Sequence, residues 1–110
     1  MEGAGEPGCN GAMRGHGEYK MPGGKLVVAD VAIAAGRLAQ VAVSGDFFLE
    51  PDSALDAIDA ALAGLPEDAD EAALAAAVRS GLPAGVRMYG ISAEAVAVAV
   101  RRAIDAVAAA

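Results

Sequence analysis

Large apolar side chains are scarce in this chain. Its 110 residues include two Phe, two Tyr and no Trp, and Leu, Ile, Val and Phe together number 25. The hydrophobic share is still 55%, because alanine alone supplies 29 residues. A core made of such small pieces is thin, so the chain reads as one small domain of marginal stability on its own. Cysteine and histidine occur once each, as Cys9 and His16. A single cysteine excludes an internal disulfide, and the pair cannot form a metal cluster without help from acidic residues. A reducing, cytoplasmic setting follows as the expectation. Long apolar runs are missing too. None approaches the ~20 residues needed to span a bilayer, and Arg101 and Arg102 interrupt the most apolar helix. The opening is Gly-rich and acidic, unlike a secretory signal. Basic charge is in short supply, with 8 Lys and Arg against 15 Asp and Glu, a net charge of −7 and a pI near 4.4. Such a field opposes wrapping by a nucleic-acid backbone.

Residues 1–17 hold six of the fourteen glycines and no Leu, Ile or Val. So little apolar surface cannot offset the entropy of ordering, and the segment is expected to be a disordered arm. Met13 offers an alternative start; beginning there removes Glu2 and Glu6 and changes the net charge from −7 to −5.

Beyond the arm the expected class is α+β. Leu26 to Ile33 and Arg37 to Phe47 are Val-rich and alternate, which predicts a hairpin over 26–33 and 37–47. A three-residue loop, Ala34-Ala35-Gly36, with Gly36 left-handed, pairs Val31 with Ala39, Ala29 with Val41 and Val27 with Val43. That register leaves one face apolar, with Asp30, Gln40 and Ser44 on the other. A two-residue loop sets Val31 against Gln40 and mixes the faces. Residues 18–21 form a short edge strand ahead of Pro22. Helices are predicted over about 53–63, 70–80 and 92–107, packed on one face of the sheet. Asp52 or Ser53, Asp70 and Ser92 are their caps, and Gly64, Gly81 and Pro83 are stop signals. Leu55, Ile58 and Leu62 line one face of the first helix, and Val96, Val100, Ile104 and Val107 line the last.

Three segments are candidate functional sites. In Pro22-Gly23-Gly24-Lys25 two glycines let a ligand approach the backbone, and Lys25 adds a cation, which suits an anion. The spacing is not that of a P-loop, and a simple turn with a solvated Lys25 also fits. Ser44-Gly45-Asp46-Phe47-Phe48 sets both phenylalanines side by side. Neighbours in a strand point to opposite faces, so one packs inward and the other is free to anchor a partner. Asp46 reads as a cation ligand or, more simply, as the cap of the turn after Gly45. Tyr89, in Arg87-Met88-Tyr89-Gly90, reads as a ligand contact or as part of a half-buried connection. The acidic run Glu67, Asp68, Asp70 and Glu71 is explained by the helix that follows it. No nucleophile–base pair, paired carboxylates or metal-ligand set stands on an ordered frame, so no catalytic or metal residue is assigned.

These pieces, taken in order, resemble the C-terminal accessory domain of lipoate–protein ligases, especially the form in which a separate small subunit supplies it. The resemblance rests on Glu18-Tyr19-Lys20-Met21-Pro22-Gly23-Gly24-Lys25-Leu26, on Asp30 and Gly36, on Ser44-Gly45-Asp46-Phe47-Phe48 and Pro51, on 62–65, and on Gly90-Ile91-Ser92. It covers about residues 18–107, with Met21 where Val is common, and assigns 18–110 to the accessory domain. It implies a non-catalytic subunit, inactive alone, whose fold is shared with sulfur-transfer and iron–sulfur scaffold proteins. Its expected partner is a catalytic large chain that binds lipoate and ATP with Mg, forms lipoyl-AMP and lipoylates lysines of acceptor domains. By the same likeness, Pro22 to Lys25 lie nearest the nucleotide, and Phe47 or Phe48 dock the catalytic chain. Two alternatives stay open: a sulfur carrier or cluster scaffold, which needs an exposed thiolate on an ordered loop, and a plain protein-binding module.

Overall fold

Alternating Val and Ala build the centre of the molecule. In this computed structural model, residues 13–22, 25–51, 53–83, 85–89 and 91–109 are described. They form β1 (Met13–Lys20), β2 (Leu26–Ala34), β3 (Arg37–Gly45), β4 (Phe48–Glu50), α1 (Ala54–Leu62), α2 (Glu71–Gly81), β5 (Arg87–Tyr89) and α3 (Ala93–Ala109). The fold is α+β. An antiparallel sheet in the order β1-β2-β3 carries the helices, and β4 and β5 pair separately.

The hairpin between β2 and β3 differs from its expected form. Its loop has two residues, Ala35 and Gly36, with φ of 55° and 76°. Two successive positive φ values give the turn whose twist matches that of paired strands. The mixed faces expected of a two-residue loop do not arise, because the register shifts by one between Ala32 and Ile33. Ile33 pairs with Leu38 and Ala32 with Gln40, so Ala39 is the extra residue of a bulge. Val31 therefore meets Val41 rather than Ala39, and Ala29 meets Val43. Beyond the bulge the register moves by two residues, so the side chains from Gln40 to Ser44 keep their faces; before it the faces are exchanged, with Leu38 buried and Arg37 and Ala39 exposed, the reverse of the expected alternation. Val27, Ala29, Val31, Leu38, Val41 and Val43 are buried, and Asp30, Gln40 and Ser44 are exposed.

The edge strand expected at 18–21 is β1, and it begins at Met13. Residues 13–17 are thus not part of a disordered arm; the rest of that arm, 1–12, lies outside the described residues. The correction has a steric cause. Gly15 and Gly17 face α3, where a Cβ would run into the backbone at Ala103 and Ala99. Glycine here permits close approach of strand and helix rather than signalling disorder. Arg102 of α3 fastens the same contact: its guanidinium donates to the Glu18 carbonyl at 2.9 Å and lies 5.1 Å from the centre of the Tyr19 ring.

The helices fall where their caps and stripes predict, to within two residues. Asp70 accepts from the Ala73 N–H at 2.8 Å and Ser92 from the Ala95 N–H at 3.1 Å. Ser53 makes no such bond, and Asp52 lies outside the described residues. The largest fully buried side chains include Leu38, Ile58, Leu62, Leu74, Val78, Val96 and Val100, all aliphatic, as expected of a thin core. Leu55 is only partly buried.

The outer edge of β3 is covered by the stretch that leads from α1 to α2. Leu38 N–H donates to the Leu65 carbonyl, Gly64 N–H to Leu38 and Glu67 N–H to Gly36. Asp59 of α1 accepts from the Val43 N–H at 3.0 Å. Arg101 holds that stretch against α3 by donating to the carbonyls of Glu67 and Ala69, at 3.0 and 2.7 Å. These bonds remove an exposed strand edge.

The expected strand 37–47 ends at Gly45. Gly45 has φ of 148°, and a Cβ there would strike the Leu26 carbonyl oxygen, so the chain leaves the sheet at this point. Phe48 opens β4, whose pairing with β5 (Phe48 with Tyr89, Leu49 with Met88, Glu50 with Arg87) was not expected from sequence. Among the described residues no helix is long and apolar enough to cross a membrane.

Candidate functional site

The segment before Lys25 and the segment after Ser44 meet at one end of the main sheet. Strand pairing starts the convergence: Lys20 lies opposite Leu26, and Val27 opposite Gly45. Met21 N–H donates to the Lys25 carbonyl at 3.2 Å, which closes the β1–β2 loop. Asp46 N–H donates to the Leu26 carbonyl at 3.3 Å, which ties the second segment to the first. Two stretches twenty residues apart in sequence thus share Leu26, and the one that follows Gly45 runs directly into β4, where Phe48 pairs with Tyr89.

All but two of the candidate residues lie among the described ones. Pro22 and Lys25 flank the loop; Gly23 and Gly24 lie outside the described residues. Lys25 is exposed and makes no ion pair or side-chain hydrogen bond among the described residues. Such an ammonium is free to meet an anion. Ser44 is exposed opposite Val28. Asp46 is also exposed; it joins the loops through its backbone, and its carboxylate caps nothing among the described residues. Phe47 is partly buried and packs against the core. Phe48 and Tyr89 are placed by backbone pairing alone.

A second group of polar residues, not foreseen from sequence, stands on the open face of the sheet. His16 Nδ1 lies 2.7 Å from Asp30 Oδ1, and Nε2 lies 2.7 Å from Glu18 Oε2. A ring nitrogen facing a carboxylate on each side must donate on each side, which requires the imidazolium. Hydrogen bonding to Glu18, then to Asp30, accordingly raises the His16 pKa above its usual value. The signal was available in part, because His16 and Glu18 are two apart in a strand and share a face. Asp30 joins them only through the register of β1 on β2. Among the described residues no group of three His, Cys, Asp or Glu is arranged to hold a metal ion, and Cys9 lies outside those residues.

Neither a protein-family model nor a curated protein sequence matches the chain. Among solved structures, it is similar to a chain from an archaeal lipoylation system, a bi-partite lipoate protein ligase and its E2 lipoyl domain from Thermoplasma acidophilum. The TM-score is 0.67 at 21% identity, over 82% of this chain and 97% of that one. The two chains are therefore of similar length and share a fold.

Proposed function

We propose that this chain is the small accessory subunit of a two-part lipoate–protein ligase. The observation that carries this reading is the convergence of the Pro22–Lys25 and Ser44–Phe48 segments at Leu26, on a fold shared with nearly the whole of a short chain from a bi-partite ligase system. The proposed partner is a separately encoded catalytic chain in the cytoplasm, which holds ATP with Mg and lipoate. In the activation step the lipoate carboxylate attacks the α-phosphorus of ATP, pyrophosphate leaves and lipoyl-AMP forms. A lysine amine of an acceptor domain then displaces AMP. The accessory chain supplies no nucleophile. It completes the activation site by bringing the Pro22–Lys25 loop to the nucleotide, where the free Lys25 ammonium meets a phosphate as negative charge shifts toward the leaving pyrophosphate. Phe47 or Phe48, at the start of β4, helps dock the catalytic chain, and β4 with β5 continues the docking surface.

A separation-of-function variant tests this assignment. Lys25→Ala is expected to lower ATP-dependent lipoyl-AMP formation by about tenfold or more, the scale of one lost charge contact to a developing anion. Its affinity for the catalytic chain is expected to stay within about twofold of wild type. Lost affinity with unchanged turnover in the assembled complex would instead make Lys25 an interface residue.

A further inference from the structure

The open face of the main sheet is a trough of about 730 Å³. Ala32 and Ala42 lie in its floor with Asp30 and Gln40 beside them, Arg14 and His16 stand along the β1 side, and Asp59 and Ala63 of the α1 region stand along the β3 side. Two charges of opposite sign face it from opposite walls, and neither meets a counter-charge among the described residues. The Asp59 carboxylate accepts one bond among the described residues, from the Val43 N–H, and meets no cation. Its half-buried carboxylate titrates above its ordinary value because burial disfavours the charge, with a smaller push from Asp56, and the Val43 bond offsets only part of this. The Arg14 side chain makes no ion pair or hydrogen bond among the described residues. β2 separates its strand from β3 and Asp59 lies beyond β3, so the two walls stand more than about 10 Å apart at the usual strand spacing. His16, by contrast, is already satisfied by Glu18 and Asp30.

We infer that this trough receives a segment of the catalytic chain that crosses the alanine floor, with a lysine or arginine paired to Asp59 and an acidic side chain paired to Arg14. The inference rests on the lipoate-ligase reading above and adds the partner's chemistry to it. Small floor residues let a backbone or short side chains come close. The two unpaired charges fix its direction, since a segment entering in reverse sets like charges against each other. Asp59 is then kept as a carboxylate in the free chain, where an amide would serve the Val43 N–H equally well, because association requires the charge.

The experiment measures the affinity of the catalytic chain for the wild-type chain and for Asp59→Asn, Arg14→Gln and Ala63→Lys. Asn keeps the Val43 bond and removes the charge. Ala63→Lys places a cation four residues after Asp59 and satisfies it from within. Each variant is expected to weaken binding by about tenfold, chiefly through faster dissociation. The melting temperatures of free Asp59→Asn and Ala63→Lys are expected to equal or exceed that of wild type. If Asn disturbs folding, Ala63→Lys decides alone. Wild-type affinity in Asp59→Asn and Ala63→Lys, with a catalytic chain that binds and responds to the wild-type chain, overturns this inference and leaves the functional reading standing. A catalytic chain that does not bind the wild-type chain overturns both.

Discussion

On the inner face of the main sheet, Gly15 and Gly17 bring β1 against the backbone of α3, and Val27, Ala29, Val31 and Val43 are buried. On the outer face the same three strands present Arg14, His16, Asp30 and Gln40. One side is held by steric fit between small groups, with almost no room to adjust. The other carries an exposed charged cluster, His16 between Glu18 and Asp30, of modest worth in water. The comparison separates what stabilises this chain from what it has available for contact with other molecules.

The largest expected effect lies on the inner face. Gly17→Val puts a branched side chain where a Cβ already collides with the backbone at Ala99 and Ala103. It should destabilise the chain by about 3 kcal/mol in urea unfolding, the upper range for overpacking a close contact. A change below about 0.5 kcal/mol would mean that α3 does not rest on β1 as described. An intermediate effect is expected where the faces meet, at the β1 edge. Arg102→Ala removes one hydrogen bond to a carbonyl and a ring contact, and should cost about 1 kcal/mol by the same measurement.

The smallest effect lies on the outer face, at His16, and it depends on pH. Its folded pKa is raised by Glu18 and Asp30, so the folded chain holds the proton more tightly than the unfolded chain does. The stabilisation is complete below the unfolded value of about 6.5 and is lost as pH rises through the folded value. The melting temperature of wild type should exceed that of His16→Gln at about pH 6 and match it by about pH 9, with the gap shrinking in salt. A gap that widens with pH would contradict the geometry of Asp30, His16 and Glu18.

The inner face was legible in the sequence where it depends on period. Alternation in 26–31 and in 40–44 assigned residues to their faces, while across the bulge it put Arg37 and Ala39 inside and Leu38 outside, the reverse of what the structure shows. Asp70 and Ser92 marked two helix starts through their caps. Its glycines were not legible. Gly15 and Gly17 look the same in sequence whether they permit disorder or close packing, and only the approach of Ala99 and Ala103 distinguishes the two. The bulge at Ala39 escaped for a related reason, since its purpose is to reconcile a two-residue turn with the burial of Val31 against Val41. The pairing of β4 with β5 joins segments nearly forty residues apart, and local pattern carries no information about it.

The candidate site divides the same way. The motif around Lys25 and the motif around Gly45 were visible as sequences, and their convergence at the Leu26 carbonyl is a product of hairpin geometry. Asp59 gave no signal at all. It sits within an ordinary amphipathic helix, and its lack of a cation becomes visible only once α1 is laid against the Val43 N–H.

The functional account is tested most directly by single-turnover formation of lipoyl-AMP from ATP and lipoate by the catalytic chain, with and without this chain. The account predicts that the adenylate and an equal amount of pyrophosphate appear only when both chains are present. It also predicts that transfer from preformed lipoyl-AMP to an acceptor lysine is far less dependent on the small chain. Equal adenylate formation in its presence and absence would contradict the account.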